Sequence, residues 1–459
     1  MLGPLLQYQS LQTVLLHTDA NIRFRISARM PSIRDVEKLV PVKISSLDIS
    51  NDSTTIVNDT RYNVCIQRHF PEGTVSLPIA LKQNEMGSTC DFDEFGLPFI
   101  AGRNGVLPGD VSFLLEPRPD RNRRPTEEDE RECRDDLRLH EEALKKQTEL
   151  ESKGITVKDY LKSLGPITGD RLDRAAEEEY RMRRILTESP ATLSDTIEHC
   201  KIGLLPFDCR RNNTKTPFPC FVQLTITRGG SKQIHRFEYN KKLFEVSKGL
   251  NEALFGRRTV PIQVGRFVLN ILETIYRLPV DFRLHAKHVR ANEPIFAHES
   301  FRLLVENSES LDTVTIAFNM PTDAFQTQII RRAKNLVIEN VSDIVMQRLT
   351  QIIQNLSNLG VTIKDLESSP ERIFNFIQAW LNADRPVGAS CCIEVRDEEI
   401  VEEILTLVQT QYERANRTNR CVSIQRSNST RVEVLYVSFT PRPIFFQSQG
   451  TLKARIVNV

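Results

Sequence analysis

One theme repeats through the C-terminal half of the chain: a short β-rich run, a loop and then an amphipathic helix. The runs that carry it are TVTIAF (313–318), NLVIEN (335–340), GVTIKDL (360–366), CCIEV (391–395) and CVSIQR (421–426). Aligning the isoleucine of each run (Ile316, Ile338, Ile363, Ile393 and Ile424) gives spacings of 22, 25, 30 and 31 residues. These spacings lie in or just beyond the range of leucine-rich-type strand-plus-helix repeats.

The segments between the runs have the apolar stripe of helices. Ser369 and Pro370 supply a cap and a first-turn proline, and Ile373, Ile377 and Trp380 follow on one helical face. Strand–helix–strand connections of this length favour parallel strands and right-handed crossovers. Residues 196–459 are therefore predicted to form a leucine-rich-repeat-like strand/helix stack.

Such a stack displays every second strand residue on one shared face, which is suited to holding another protein. If the aligned isoleucines point to the core, the partner-binding residues are predicted to be Thr313, Thr315, Val337, Glu339, Thr362, Lys364, Cys392, Glu394, Ser423 and Gln425. Two alternatives stay open: the helices or loops carry recognition, or the sheet is covered on both sides.

Three further segments precede the stack. Residues 1–38 hold two short amphipathic helices, the second with Asp19 as a plausible cap and a stop at Met30-Pro31. Residues 39–115 change to a period of two and read as a small antiparallel β module. Residues 116–195 are dense in charges of both signs and read as a charged helical linker. The predicted fold class is mixed α/β.

The amino-acid composition limits the classes of partner that this chain is expected to bind. With 61 Lys+Arg against 60 Asp+Glu, the 459-residue chain has no global basic field for nucleic acid or anionic lipid. No apolar run approaches the roughly 20 residues that a bilayer needs, so no membrane partner is expected. The N-terminus lacks the basic leading segment of a signal peptide, and nine scattered cysteines fit reduced thiols in the cytoplasm or nucleus.

A search for catalytic patterns gives none of the phosphate-loop, dinucleotide, nucleophile-elbow or zinc-protease motifs. His199, Cys200, Cys209 and Cys220 cluster without the paired spacing of a structural zinc site. We therefore expect no catalytic residue, no cofactor and no metal, and an enzyme is the least favoured class.

The order of several short motifs resembles the nematode F-box C family. The motifs are LQYQSL (6–11), RFRI (23–26), RMPSI (29–33), VNDTRY (57–62), LPGDV (107–111), IIRRAKNLVI (329–338) and WLNADRPVG (380–388). The resemblance covers nearly the whole chain and rests on the shared order of motifs that are individually weak. It implies an F-box-like N-terminal segment followed by a domain of unknown function.

F-box proteins usually bind a Skp-type adaptor through the first segment, join a cullin ubiquitin ligase and hold substrates with the remainder. The resemblance thus implies a non-catalytic substrate-recognition subunit, with an unknown protein as substrate. The adaptor-binding residues are predicted to be Leu6, Leu11, Val14, Leu15, Ile22 and Ile26. The alternative is a stand-alone protein-binding scaffold with no ubiquitin role.

Overall fold

The fold is taken from a computed structural model of the chain. The residues it describes are 8–49, 53–70, 87–99, 106–113, 125–165, 174–269, 275–317, 325, 327–364, 366, 368–395, 398–426, 429–440 and 449–458. The chain divides into two compact units: unit 1 comprises residues 1–61, 106–116 and 248–459, and unit 2 comprises residues 62–105 and 117–247. This division differs from the four consecutive segments expected from the sequence.

The helices, numbered along the chain, are α1 (Tyr8–His17), α2 (Ala20–Arg29), α3 (Pro31–Leu39), α4 (Glu127–Ser152), α5 (Val157–Ser163), α6 (Arg174–Ile185), α7 (Pro190–Asn212), α8 (Leu243–Phe255), α9 (Glu293–Ala297), α10 (Glu299–Leu304), α11 (Gln328–Arg332), α12 (Asp343–Ile352), α13 (Pro370–Asn382) and α14 (Glu398–Gln411).

The strands are β1 (Lys43–Ile49), β2 (Thr54–Val57), β3 (Thr60–Arg68), β4 (Asp91–Phe92), β5 (Pro98–Phe99), β6 (Val111–Ser112), β7 (Cys220–Arg228), β8 (Ser231–Glu238), β9 (Ile262–Leu269), β10 (Ile275–Tyr276), β11 (Leu284–Asn292), β12 (Thr313–Ala317), β13 (Asn335–Glu339), β14 (Gly360–Ile363), β15 (Ser390–Val395), β16 (Ala415–Thr418), β17 (Cys421–Gln425), β18 (Thr430–Thr440) and β19 (Gln449–Asn458).

Unit 1 is organised around one mixed sheet, in the order β16-β17-β18-β19-β15-β14-β13-β12-β11-β9-β1-β2. The seven strands from β15 to β1 are parallel to one another. The four strands from β19 to β16 are antiparallel, as is β2 on the other side. The mixed α/β class expected from the sequence is confirmed.

The alignment of the repeated runs predicts the strand register over four of its five members. Ile316 pairs with Ile338, Ile338 with Ile363, and Ile363 with Ile393, and all four side chains are buried. They point to one face because side chains alternate along a strand. That face meets the helices, whose buried residues include Leu349, Ile377 and Trp380.

The fifth member departs from the repeat. Ile424 pairs with Ala415 and Val432 in antiparallel strands, and three strand spacings separate β17 from β15. The reason is local: Cys421–Gln425 is followed within a few residues by another strand instead of a helix, so the chain turns back on itself. The alternation of parallel strand and helix therefore ends with β15 and α14, and the predicted leucine-rich-repeat-like stack does not extend to Ile424.

The expected antiparallel module over 39–115 also needs correction. The β1–β2 hairpin is antiparallel as expected, but β1 runs parallel beside β9, with Lys43 opposite Gln263. Ile44, Leu47 and Ile49 of strand β1 are buried, as is Val42 just before the strand. Its apolar side completes the core of unit 1, which an isolated small module could not supply.

Unit 2 contains packed helices where the sequence predicts a charged linker. Leu139 and Ala143 of α4 form a core with Ile185, Leu186 and Leu193. Thr126 caps α4 through a reciprocal capping box with Asp129. The residues 125–165 and 174–195 are therefore an ordered helical assembly, with charged pairs such as Arg134–Asp208 on its exterior.

A β-hairpin with a two-residue turn lies in unit 2. Strands β7 and β8 pair antiparallel from Phe221–Glu238 to Arg228–Ser231. Gly229 and Gly230 form the turn with φ of 52° and 82°, the left-handed conformation that a two-residue hairpin requires.

Candidate functional site

The N-terminal helices place the six predicted adaptor-binding residues in different environments. On α1, Leu15 is 1% exposed and Leu11 is half-buried, whereas Val14 is 51% exposed. On α2, Ile22 is 36% exposed and Ile26 is half-buried. Leu6 lies outside the described residues. An external partner would therefore meet Val14 and Ile22 first.

Capping residues and a proline determine where these helices begin and end. The Asp19 side chain accepts hydrogen bonds from the backbone N–H groups of Asn21 and Ile22 at 3.0 and 3.3 Å, so the expected cap is confirmed. Helix α2 ends at Arg29 with Met30 as its C-cap. Pro31 then begins α3, a third helix that the sequence did not predict.

A buried charge cluster fixes α2 and α3 within unit 1. Arg23 donates to the Glu37 carboxylate at 3.0 Å and to the carbonyl oxygens of Val40 and Pro41, both at 2.7 Å. Arg258 donates to both Glu37 oxygens, at 2.9 and 3.2 Å. Burial is the first cause that lowers the pKa of Arg23 and of Arg258, with Glu37 opposing it.

Lys38 extends the same cluster. Its ammonium donates to the carbonyl oxygens of Ala253 and Leu254 at 3.2 and 3.3 Å, near the end of α8. Burial, followed by repulsion from Arg258, lowers its pKa to about 8. The inner sides of α2 and α3 are thus occupied by the protein itself, and their outward sides remain available.

The second candidate surface is the side of the unit 1 sheet opposite the buried isoleucines. We call it the polar face: the residues of β9, β11–β15 and β17–β19 that alternate with the buried ones. Thr315, Val337, Thr362 and Cys392 are consecutive partners in the register and so form one row across four strands. Lys453 of β19 continues the row beside Cys392. All of these except Thr315, which is buried, are partly exposed.

The other predicted partner-binding residues lie on the same face. Thr313 begins β12, and Glu339 ends β13. Lys364 directly follows β14, and Glu394 lies two residues after Cys392 on β15. Ser423 reaches the face through the pairings Ser423–Glu433, Glu433–Arg455 and Arg455–Ser390, and Gln425 is two residues further along β17. The eight predicted residues on or directly after strands β12–β15 therefore lie close together. Ser423 and Gln425 lie near the far edge of the sheet.

Ion pairs occupy two places on the polar face. Arg290 donates from Nε to Glu339 at 2.8 Å, across the intervening strand β12. Glu433 accepts hydrogen bonds from Arg455 at 2.7 and 2.9 Å and from Arg431 at 2.9 Å. Burial alone would raise the pKa of Glu433, but the hydrogen bonds from both arginines outweigh it and lower the pKa.

Three cations on the polar face have no such partner. Among the residues that the structure describes, Arg266, Lys364 and Lys453 have no side-chain hydrogen bond or ion pair. His288 lies within the electrostatic influence of two of them, Arg266 and Lys364, and hydrogen-bonds Thr315 at 2.7 Å. Burial first, and then the positive charge of Arg266, lower the pKa of His288 to about 4. The imidazole is therefore neutral at pH 7, and this region has a positive potential.

Sequence reasoning missed the contribution of the flanking strands to this face. Arg266, Arg290 and His288 come from β9 and β11, and Lys453 and Arg455 from β19. The alternation in LHAKHVRAN (284–292) and GTLKARIV (450–457) marks both segments as half-buried strands. The register that brings them beside the repeats depends on long-range pairing.

No group of three or more His, Cys, Asp or Glu suited to a metal ion occurs among the described residues. All nine cysteines are free thiols. Within the described ranges, no helix is both long enough and apolar enough to cross a membrane.

Comparison with known proteins gives one match. Residues 242–397 match the family model described as Domain of unknown function (DUF3557). This agrees with the domain-of-unknown-function part of the resemblance, whose motifs at 329–338 and 380–388 lie inside the matched range. The match runs from the start of α8 to just beyond β15 and does not include the N-terminal helices. No curated protein and no solved structure matches the chain.

Proposed function

We propose that this protein is a non-catalytic substrate-recognition subunit of a Skp-type adaptor/cullin ubiquitin ligase. The observation that supports the proposal most is the outward exposure of Val14 and Ile22 on two helices whose inner faces are held in place. Fully burying a side chain of this kind contributes about 1.5–3 kcal/mol. Because Val14 is 51% and Ile22 36% exposed, a partner helix that covers both would gain roughly a third to a half of that energy at each residue, without unfolding unit 1.

The arrangement of the N-terminal helices favours a preformed docking surface. The Arg23–Glu37–Arg258 cluster and the edge-to-face contact of Phe24 with Phe255, with ring centroids 5.9 Å apart, hold α2 in one orientation. An adaptor that binds rigid helices loses less conformational entropy than one that must order them. Substrate would occupy the polar face in the same unit, and the protein would act by proximity alone.

The test is recovery of a purified Skp-type adaptor on the immobilised full chain. The informative variant is the double change Val14→Asp and Ile22→Asp, which places charges at exposed positions. Thr13→Asp is the matched control, because Thr13 is exposed on α1 and is polar. Leu15→Asp is unsuitable because it would bury a carboxylate and unfold the unit.

We expect the wild type and Thr13→Asp to recover the adaptor and the double variant to lose at least 90% of it. Circular dichroism of the double variant should match that of the wild type. No recovery by the wild type, or equal recovery by all three, would overturn the proposal.

A second candidate function is a stand-alone protein-binding scaffold. The burial of Leu15 at 1% exposure supports it, because that side chain is already used inside unit 1. The two candidates differ in the adaptor assay: a scaffold binds its partner through the polar face and recovers no adaptor. In that case charge changes on the polar face abolish partner binding, and the double variant of α1 and α2 leaves it unchanged.

A further inference from the structure

We propose that the polar face binds an acidic, extended segment of a partner protein, whose carboxylates are contacted by Arg266, Lys364 and Lys453. This inference rests on the proposed function in one respect, namely that the polar face holds the recognised protein. It adds the chemical class of the segment, its length and the residues that select it.

Charge complementarity is the first argument. Among the described residues, the polar face from β9 to β18 carries more cations than carboxylates: Arg266, Arg290, Lys364, Arg431, Lys453 and Arg455 against Glu339, Glu394 and Glu433. Two of these carboxylates are already paired with arginines of the face. Apart from those pairs, Arg266, Lys364 and Lys453 stand against Glu394, a local excess of two positive charges, whereas the chain as a whole has a net charge of only +1. A local positive field on a neutral protein selects a negatively charged partner.

The spacing of the three cations is the second argument. Arg266 lies on β9, Lys364 directly follows β14, and Lys453 lies on β19. The order β9-β11-β12-β13-β14-β15-β19 places four strand spacings between the first two and two between the last two. At about 4.8 Å per spacing the three positions extend over roughly 29 Å. An extended peptide covers that length with about nine residues at roughly 3.3 Å each.

The residues between the cations are the third argument. Thr315, Val337, Thr362 and Cys392 form the row that lies between Arg290 and Lys453, and all four side chains are small. A strip of this kind accepts a peptide and has no aromatic ring on which a nucleic-acid base could stack. An acidic peptide segment therefore fits the polar face better than a single-stranded nucleic acid.

The experiment measures binding of a fluorescein-labelled decapeptide of alternating Glu and Ser to the full-length protein by anisotropy. The test variant carries Arg266→Gln, Lys364→Gln and Lys453→Gln. The control variant carries Arg302→Gln, Lys334→Gln and Arg348→Gln, three exposed cations away from the polar face, and it lowers the net charge by the same amount.

We expect the test variant to bind the peptide at least about tenfold more weakly and the control to remain within about twofold, since each partly exposed charge contact contributes a few-fold. Raising the salt from 50 to 300 mM should weaken wild-type binding. Absence of peptide binding, an equal loss in both variants, or tighter binding of an oligonucleotide with the same charge would overturn the inference.

The two proposals fail in different ways. The test variant should still recover the Skp-type adaptor, because its changes are far from α1 and α2 in the sequence and leave their exposed residues intact. If the adaptor is never recovered but the peptide binds as described, the acidic-segment inference holds and the ubiquitin-ligase proposal fails. If the adaptor is recovered and the peptide does not bind, the reverse follows.

Discussion

The charge cluster around Glu37 gives a quantitative test of how the N-terminal helices are held. The substitution Glu37→Gln keeps the shape of the side chain and removes its charge. Glu37 has no exposed surface, and Arg23 and Arg258 donate to it at 3.0 and 2.9 Å. After the change, two buried guanidinium groups would have lost their shared counter-ion.

The expected size of the effect follows from these distances. Two unit charges 3 Å apart attract by about 5 kcal/mol at an effective dielectric constant near 20, and desolvation opposes much of that attraction. Removing one partner from a buried pair costs about 3–5 kcal/mol. Glutamine retains some hydrogen bonding, so we expect about 3 kcal/mol, a large share of the 5–15 kcal/mol typical of a folded protein.

Urea denaturation followed by circular dichroism measures this loss. With a urea m-value of roughly 3 kcal/mol/M or more for a unit of this size, we expect the unfolding midpoint to fall by up to about 1 M. Asp35→Asn is the matched control, because Asp35 lies on the same helix, is exposed and should leave the midpoint unchanged. A loss below about 1 kcal/mol for Glu37→Gln would refute the view that this cluster holds the helices.

Two further predictions concern His288 on the polar face and Gly109, both in unit 1. His288, with a folded pKa near 4 against 6.5 when unfolded, should contribute stability that is present above pH 6.5 and lost as the pH falls towards 4. After allowance for solvent screening, the loss should be about 1–2 kcal/mol in urea titrations, and it should be absent from His288→Asn; a pH-independent difference between the two proteins would refute it. Gly109→Ala should destabilise by about 2–4 kcal/mol, because φ is +88° and a Cβ would lie 2.5 Å from the backbone at Pro279. Gly154→Ala, with φ of +67° and open space around it, should cost about 1 kcal/mol, and equal thermal shifts for the two variants would contradict this explanation.

The sequence predicts the parallel part of the sheet well because each repeat carries its own signal. An apolar residue alternates with Thr, Val or Cys in every strand, and an amphipathic helix follows. That local pattern was sufficient to align Ile316, Ile338, Ile363 and Ile393. It failed at Ile424, where a strand replaces the helix.

The long-range pairing of strands and the burial of charged side chains could not be predicted from the sequence alone. The partnership of β1 with β9 joins residues that no local pattern connects. Arg23 and Glu37 belong to the core, although charged residues are rarely buried unless they are paired. In α4, the buried residues Leu139 and Ala143 occupy a narrow stripe among many charges, so composition indicated a linker.

The pairing of Lys43 with Gln263 also affects how the protein is made. About 220 residues separate the two strands, and at 5–20 residues per second the ribosome needs roughly 10–40 s to supply the second after the first. During that interval Val42, Ile44 and Leu47 have no neighbouring strand β9 to cover them. Nascent chains should therefore depend on chaperones until β9 emerges, and a truncated chain that keeps β1 but lacks β9 should be insoluble.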